Sequence, residues 1–176
     1  MDMQQEMAGI KRQFFTYRNG VVADVMRRGG SPYRMIFGLT LPQISVIAER
    51  TGIDDRLSRV LWADSEVRES QILATMVADT GRFTVDDAVA WTSQLRSIEI
   101  ADILSLKLLR RMPYVDGVVM RLCVGEMSAM QRYAGLRTAF ALTGTQADMV
   151  AGVARCELER DEPLTAVVAR QLLANL

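Results

Sequence analysis

The sequence predicts an all-α protein, a right-handed α-solenoid of HEAT-like antiparallel helix pairs. Three observations carry this expectation. Apolar residues are 49% of the chain yet recur at helical spacing almost throughout. No stretch shows the strict alternation and Asn-Gly or Asp-Gly punctuation of hairpins. Stop and start signals for helices follow one another at short intervals, which favours antiparallel neighbours.

The elements follow in order. Ile10, Phe14, Phe15 and Tyr17 mark a first helix over residues 3–17. Val21, Val22, Val25 and Met26 mark a second, stopped by Gly29-Gly30. "SPYRMIFG" reads as a loop. Thr40 is an N-cap, with Pro42 in the first turn, where its missing N–H is not needed. That helix stops at Thr51-Gly52, and Asp54 or Asp55 caps the next. Ser65 caps "EVRESQILATMVAD". Thr84 with Asp87, and Ser128 with Gln131, are spaced as capping boxes. Ser97 caps a helix that must end before Pro113. Thr145 opens the penultimate helix and Pro163 the last.

This gives about ten helices of roughly 10–16 residues. They are expected to pair as 41–51 with 54–63, 65–80 with 84–96, 98–112 with 115–125, and 128–143 with 145–160. Pair starts fall roughly 30 residues apart, within the span of helical repeats. A compact irregular bundle is the alternative. No linker divides the chain, so one domain over residues 1–176 is expected. The charge run "CELERDEP" reads as a solvated helix end.

Composition bounds the function. Cations and carboxylates balance at 21 each, which argues against a protein that coats nucleic acid indiscriminately. All cations but Lys11 and Lys107 are arginine, the residue suited to bidentate contact with carboxylate or phosphate. Genomic base composition is the commoner cause of such a bias. Histidine is absent, which excludes His-based catalysis and His metal sites. Cys123 and Cys156 lie far apart with no CxxC spacing and read as buried small hydrophobes. No metal or cofactor is expected. "MDMQQEMAGI" lacks the basic start and apolar core of a secretion signal, and no apolar run is long enough to span a membrane. A cytoplasmic protein with no membrane partner is expected.

Within "SIEIADILSLKLL" (residues 97–109), Glu99 and Asp102 interrupt an apolar run. At 100° per residue, with Ile98 at 0°, Leu109 falls at about 20°, Asp102 at about 40° and Leu106 at about 80°. Asp102 is therefore placed inside an apolar arc, Glu99 at its edge, and Lys107, Arg110 and Arg111 opposite. A buried carboxylate needs a cationic partner or a proton. Arg137 is the expected partner, because Met130, Tyr133, Ala134, Phe140 and Ala141 share its helix face while Arg132 lies on the far side. Such a pair is either a structural lock between repeats or part of a functional cleft.

"FGLTLPQISVIAERTG", "LWADSEVRESQILATMVAD", "VAWTSQLRSIEIADILS" and "GLRTAFAL", in this order over residues 10–145, resemble the DNA alkylation repair glycosylases built from HEAT-like repeats. Members show an "FG-x-x-x-P" helix entry, an "LW" before a helix, a later "W-D-L-V-D" and an "R-R-T-A" helix. The resemblance implies that Asp102, matching the last aspartate of "W-D-L-V-D", faces an alkylated nucleotide and stabilises the charge that builds on the sugar. It implies that Arg137 holds the DNA backbone. The chain departs from the pattern at the tryptophan, which is Ile98, and no Trp follows Trp91. The electron-rich faces that would attract a cationic base are thus missing from those positions.

Arg27-Arg28 and Arg110-Arg111 are further candidate phosphate contacts. Lys11, Arg12, Arg18, Arg27, Arg28 and Arg34 against Asp2, Glu6 and Asp24 give the first 36 residues a net +3. A DNA-facing patch and a solvated basic face explain this equally well. Trp62 reads as core and the Met residues as core filler. Two functions are therefore expected. One is a DNA glycosylase excising cationic N-alkylpurines from duplex DNA, with Asp102 catalytic. The other is a non-catalytic HEAT-repeat scaffold or binding module for DNA or a protein partner.

Overall fold

Local capping chemistry sets most of the helix starts. In the computed structural model, which describes residues 2–176, Asp54 accepts from the Leu57 amide at 2.9 Å and Ser97 from the Ile100 amide at 3.3 Å. Thr84 and Asp87 close one capping box and Ser128 and Gln131 another. Gln43 reaches back to the Thr40 amide at 2.9 Å. Each bond satisfies an amide that the first helical turn leaves without a partner. Among the described residues there are eleven α-helices, two short 3₁₀ turns, and no strand beyond one isolated backbone bridge. The all-α expectation holds. The first methionine of the N-terminal stretch lies outside the described residues.

The chain forms two units, one ending at Asp79 and the other running from Thr80 to Leu176. The first contains α1 (Met3–Tyr17), α2 (Gly20–Arg28), α3 (Leu41–Thr51), α4 (Asp55–Ala63) and α5 (Arg68–Val77). Nearly every residue of α5 is buried, packed against α3 and α4. Two of them are charged. Glu69 is wholly buried and accepts from three successive amides, Phe37 at 3.1 Å, Gly38 at 2.9 Å and Leu39 at 3.3 Å. Arg68 donates to Glu69 at 2.9 Å and to the Leu39 carbonyl at 3.2 Å. These bonds give both oxygens of the buried carboxylate hydrogen-bond partners. They also fix the "FGL" loop. Gly38 adopts φ +79°, and a Cβ there would lie 2.2 Å from the Asn19 carbonyl oxygen, so no other residue fits.

α5 corrects one expectation. Ser65 does not cap it; the helix starts after Val67. The Glu66 carbonyl accepts from Met35 at 2.9 Å, and the Arg68 amide donates to the Met35 carbonyl at 3.1 Å. This pairing holds residues 66 and 67 extended and delays the helix. Likewise Gln146, not Thr145, precedes the penultimate helix.

The second unit contains α6 (Val85–Thr92), α7 (Ile98–Lys107), α8 (Val115–Cys123), α9 (Ala129–Ala139), α10 (Ala147–Leu158) and α11 (Pro163–Ala174). The 3₁₀ turns Leu109–Arg111 and Phe140–Leu142 extend α7 and α9. α7, α9 and α11 lie side by side, and α6, α8 and α10 form a second row. Ala101, Val119, Leu136, Val150, Val168 and Leu172 fill the space between the rows. The tightest packing joins α8 to α9 and α10 to α11, across the boundaries of the pairs expected from sequence. Gly135 explains the first of these: a Cβ there would lie 2.6 Å from Cys123 Sγ and 2.9 Å from Leu122 Cβ. Among the described residues, no helix is long and apolar enough to cross a membrane.

The run "CELERDEP" is not wholly solvated. Glu157 is 1% exposed and accepts from Arg132 at 2.9 and 3.1 Å and from the Thr165 hydroxyl at 2.7 Å. Cys156 is exposed rather than buried; Cys123 is buried as expected. Burial, then the Glu157 charge, pushes the Cys123 thiol up to about 12. Trp62 is in the core.

Candidate functional site

α7 and α9 place the candidate residues. Ile100, Ala101, Ile103, Leu104 and Ser105 are the buried face of α7. The Ser105 hydroxyl sits 2.8 Å from the Ala101 carbonyl and 3.0 Å from the Ala134 carbonyl of α9. This polar link fixes the register of the two helices, and it sets Asp102 against Tyr133 and Arg137. Arg137 Nε is 2.7 Å from Asp102 Oδ1. The Tyr133 hydroxyl donates to the same oxygen at 3.0 Å. Both of these contacts fall on Oδ1.

The expected pair is therefore present, but its setting differs from the one expected. Asp102 and Arg137 are 36% and 31% exposed. Ile98 and Leu106, one turn either side of Asp102, are 46% and 50% exposed. The row Ile98–Asp102–Leu106 is an open face, not the middle of the core. α7 is apolar around more than half its circumference, so the helical wheel alone could not choose between two greasy faces. Arg137 Nε is shielded yet makes no aligned hydrogen bond, so the contact with Asp102 is electrostatic and leaves an N–H direction unused.

Arg110 is the second departure. A continuous helix would carry it away from Asp102. Instead α7 ends at Lys107, and Leu108 breaks the helical path with φ −122° and ψ −64° before the 3₁₀ turn begins. The break swings Arg110 toward α9, where its Nε donates to the Arg137 carbonyl at 2.9 Å. The Arg110 and Arg137 guanidiniums each lie 5.6 Å from the centre of the Phe140 ring, within cation–π range. Burial, and then the neighbouring Arg137, lower the Arg110 pKa, with Asp102 opposing. Burial, then the Asp102 charge and hydrogen bond, raise the Tyr133 phenol to about 12. Tyr133 thus stays a proton donor to Asp102 throughout the neutral range.

Tyr133 and Phe140 were legible only as members of the Arg137 face. Their spacing from it, four residues before and three after, is the signal for contact. Tyr133 donates to the aspartate, and Phe140 lies beside the two guanidiniums. Arg111 turns aside, donating to the Lys107 carbonyl at 3.1 Å on the exposed surface. Arg27 and Arg28 lie at the exposed end of α2, in the other unit. Arg27 donates to Asp24 at 2.8 Å and to the Ile36 carbonyl at 3.3 Å.

Charge decides what this cluster can do. It holds one carboxylate and two guanidiniums, a net single positive charge on a partly open face. Such a group attracts an anion, and a partly exposed guanidinium suits an oxyanion such as phosphate. Among the described residues, no group of three or more carboxylate or thiol side chains assembles as a metal site.

No family model matches the chain, and no curated protein matches it. A solved structure does. It is described as "A new family of proteins related to the HEAT-like repeat DNA glycosylases with affinity for branched DNA structures", and the match has a TM-score of 0.80 at 14% identity, covering 99% of this chain and 75% of that chain. At that identity the likeness is one of fold, and the fold of this chain is the all-helical HEAT-like repeat fold.

Proposed function

We propose that this chain is a DNA-binding HEAT-like repeat protein whose α7–α9 face grips the phosphate backbone through Arg110 and Arg137. One observation carries the reading: two guanidiniums share one aromatic ring beside a single carboxylate, which leaves the face positive. Asp102 and Phe140 hold Arg137 in place, so a phosphate meets an ordered cation and less side-chain entropy is lost on binding. Arg111, exposed in the same unit, adds a contact to a neighbouring phosphate, and Arg27 and Arg28, exposed at the end of α2 in the other unit, are further candidate phosphate contacts. The protein that shares the fold is described as having affinity for branched DNA, so junctions and flaps are the first ligands to try beside plain duplex.

A second reading is excision of cationic N-alkylpurines, and the partial exposure of the Asp102 carboxylate favours it. A carboxylate on an open face can stabilise a developing oxocarbenium ion. Two features weaken it. Arg137 at 2.7 Å offsets the negative potential of Asp102, and Ile98 supplies no aromatic face.

Binding isotherms for duplex and four-way-junction DNA, taken over a series of salt concentrations, test the first reading. The slope of log affinity against log salt is expected to be steep, and Arg137→Ala to reduce it by about one. A flat slope, or one unchanged in both Arg110→Ala and Arg137→Ala, rejects it and leaves a protein-binding scaffold. Base release from DNA carrying N7-methylguanine, lost in Asp102→Asn, establishes the second; equal background in both proteins removes it.

A further inference from the structure

A separate feature of the first unit has no role in the α7–α9 face. Between α1, α2 and the loop before α3 lies a groove of about 280 Å³, lined by Phe15, Arg18, Arg27, Met35, Ile36 and Phe37 among others. We propose that this groove accepts an unpaired base of single-stranded or flapped DNA, stacked on Phe15, with Arg18 and Arg27 on the adjoining phosphates. The proposal rests on the DNA-binding reading and adds to it a site, and a reason for preferring branched over continuous duplex.

Four observations support it. Phe15 is 53% exposed, an aromatic ring left in solvent rather than in the core. The Arg18 guanidinium lies 5.8 Å from the ring centre, so a base that takes the ring face displaces it by one side-chain rotation toward the adjoining phosphate. The ring is held from behind: Phe37 meets it edge-on at 5.0 Å and 78°, and Phe14 in turn meets Phe37 at 5.5 Å. Phe37 is itself locked, its amide donating to Glu69 and its carbonyl accepting from Asn19 at 2.8 Å. The wall is thus formed before any ligand arrives.

Charge and size narrow the occupant. Both charged residues lining the groove are arginines, and no carboxylate lines it among the described residues. Asp24 engages one side of Arg27 at 2.8 Å, so Arg18 is the stronger phosphate contact. The volume falls below the roughly 300–1,000 Å³ of pockets for drug-sized ligands, which suits a single planar ring system. Met35, 45% exposed, gives the base edge a polarisable apolar contact. An acidic peptide with an apolar anchor has compatible charge, but a planar ring exploits the exposed aromatic face and an aliphatic side chain does not.

Fluorescence anisotropy with three labelled DNAs tests the proposal: a blunt duplex, the same duplex with a short thymidine flap, and that flap built from abasic units. The wild type is expected to bind the thymidine flap about tenfold more tightly than the abasic one, as loss of one stacked base predicts. Phe15→Ala is expected to erase that difference while leaving blunt-duplex affinity unchanged, and Phe15→Trp to retain it. Thermal melts of both variants check that folding is intact. Equal affinity of the wild type for both flaps, or a preference that survives Phe15→Ala, overturns the proposal. So does displacement of neither flap but binding of a glutamate-rich, leucine-containing peptide that Phe15→Ala abolishes, which assigns the groove to a protein. Failure to bind any of the three DNAs defeats the DNA reading itself, whereas tight binding indifferent to flap bases defeats only this site.

Discussion

Two arginine–carboxylate pairs leave opposite faces of α9, and they are chemically alike but physically different. Arg132 and Glu157 are 11% and 1% exposed, and Glu157 also accepts from Thr165, with Arg160 at 3.4 Å. Arg137 and Asp102 are 31% and 36% exposed, and the contacts from Arg137 and Tyr133 both fall on one Asp102 oxygen. The first pair is closed: every contact it makes is spent inside the protein, and its loss strands a charge away from water. The second is open, with water replacing whatever is removed. Residue types alone do not separate structure from function here. The separation comes from how many lone pairs and N–H groups are left over for something else.

That contrast can be broken most directly at Glu157. Glu157→Ala leaves Arg132 buried and unpaired, and is expected to destabilise the fold by about 3–5 kcal/mol in chemical denaturation. Gly135→Ala tests the packing that supports both pairs. The new methyl would fall 2.6 Å from Cys123 Sγ and 2.9 Å from Leu122 Cβ, and forcing α8 from α9 is expected to cost about 1–3 kcal/mol. A Gly135→Ala protein as stable as wild type would show that the two helices adjust freely.

Asp102→Ala is the counterpart to Glu157→Ala. Because the pair is partly exposed, a stability change within about 1 kcal/mol is expected. A loss matching that of Glu157→Ala would erase the distinction between the faces. A further effect concerns pH. The Tyr133 phenol is raised from its ordinary value of 10 to about 12 in the folded protein. The native state therefore holds this proton more tightly than the unfolded chain does. Its contribution is fully present below pH 10 and is lost as pH rises toward 12. Wild type is expected to lose stability across that window more steeply than Tyr133→Phe, measured by denaturant titration at successive pH values. Parallel curves would show that the Tyr133 phenol is not raised in the folded protein.

Some of this was legible in the sequence and some was not, for identifiable reasons. The caps at Asp54, Ser97 and the two boxes were readable because capping is local: donor and acceptor lie within three residues. The Asp102–Arg137 contact was readable because each is a lone charge of its sign on an otherwise apolar helix face, and neighbouring helices of a repeat expose equivalent faces to each other. The openness of that contact was not readable, since Ile98 and Leu106 look like core residues and are not. Glu157 looked solvated because its neighbours in sequence, Glu159, Arg160 and Asp161, are exposed; its partner, Arg132, is 25 residues away.

The sequence by itself determined the helical class, most helix boundaries, and the meeting of one acid with one arginine, because periodicity and capping act over a single turn or a single face. Tertiary structure alone decided which apolar face of α7 is covered, how the break at Leu108 brings Arg110 to Phe140, and which of two similar ion pairs is sealed. Those outcomes depend on burial and on backbone path at long range. The free energy of a charge is set by what surrounds it in space, and that surrounding does not exist until the helices pack.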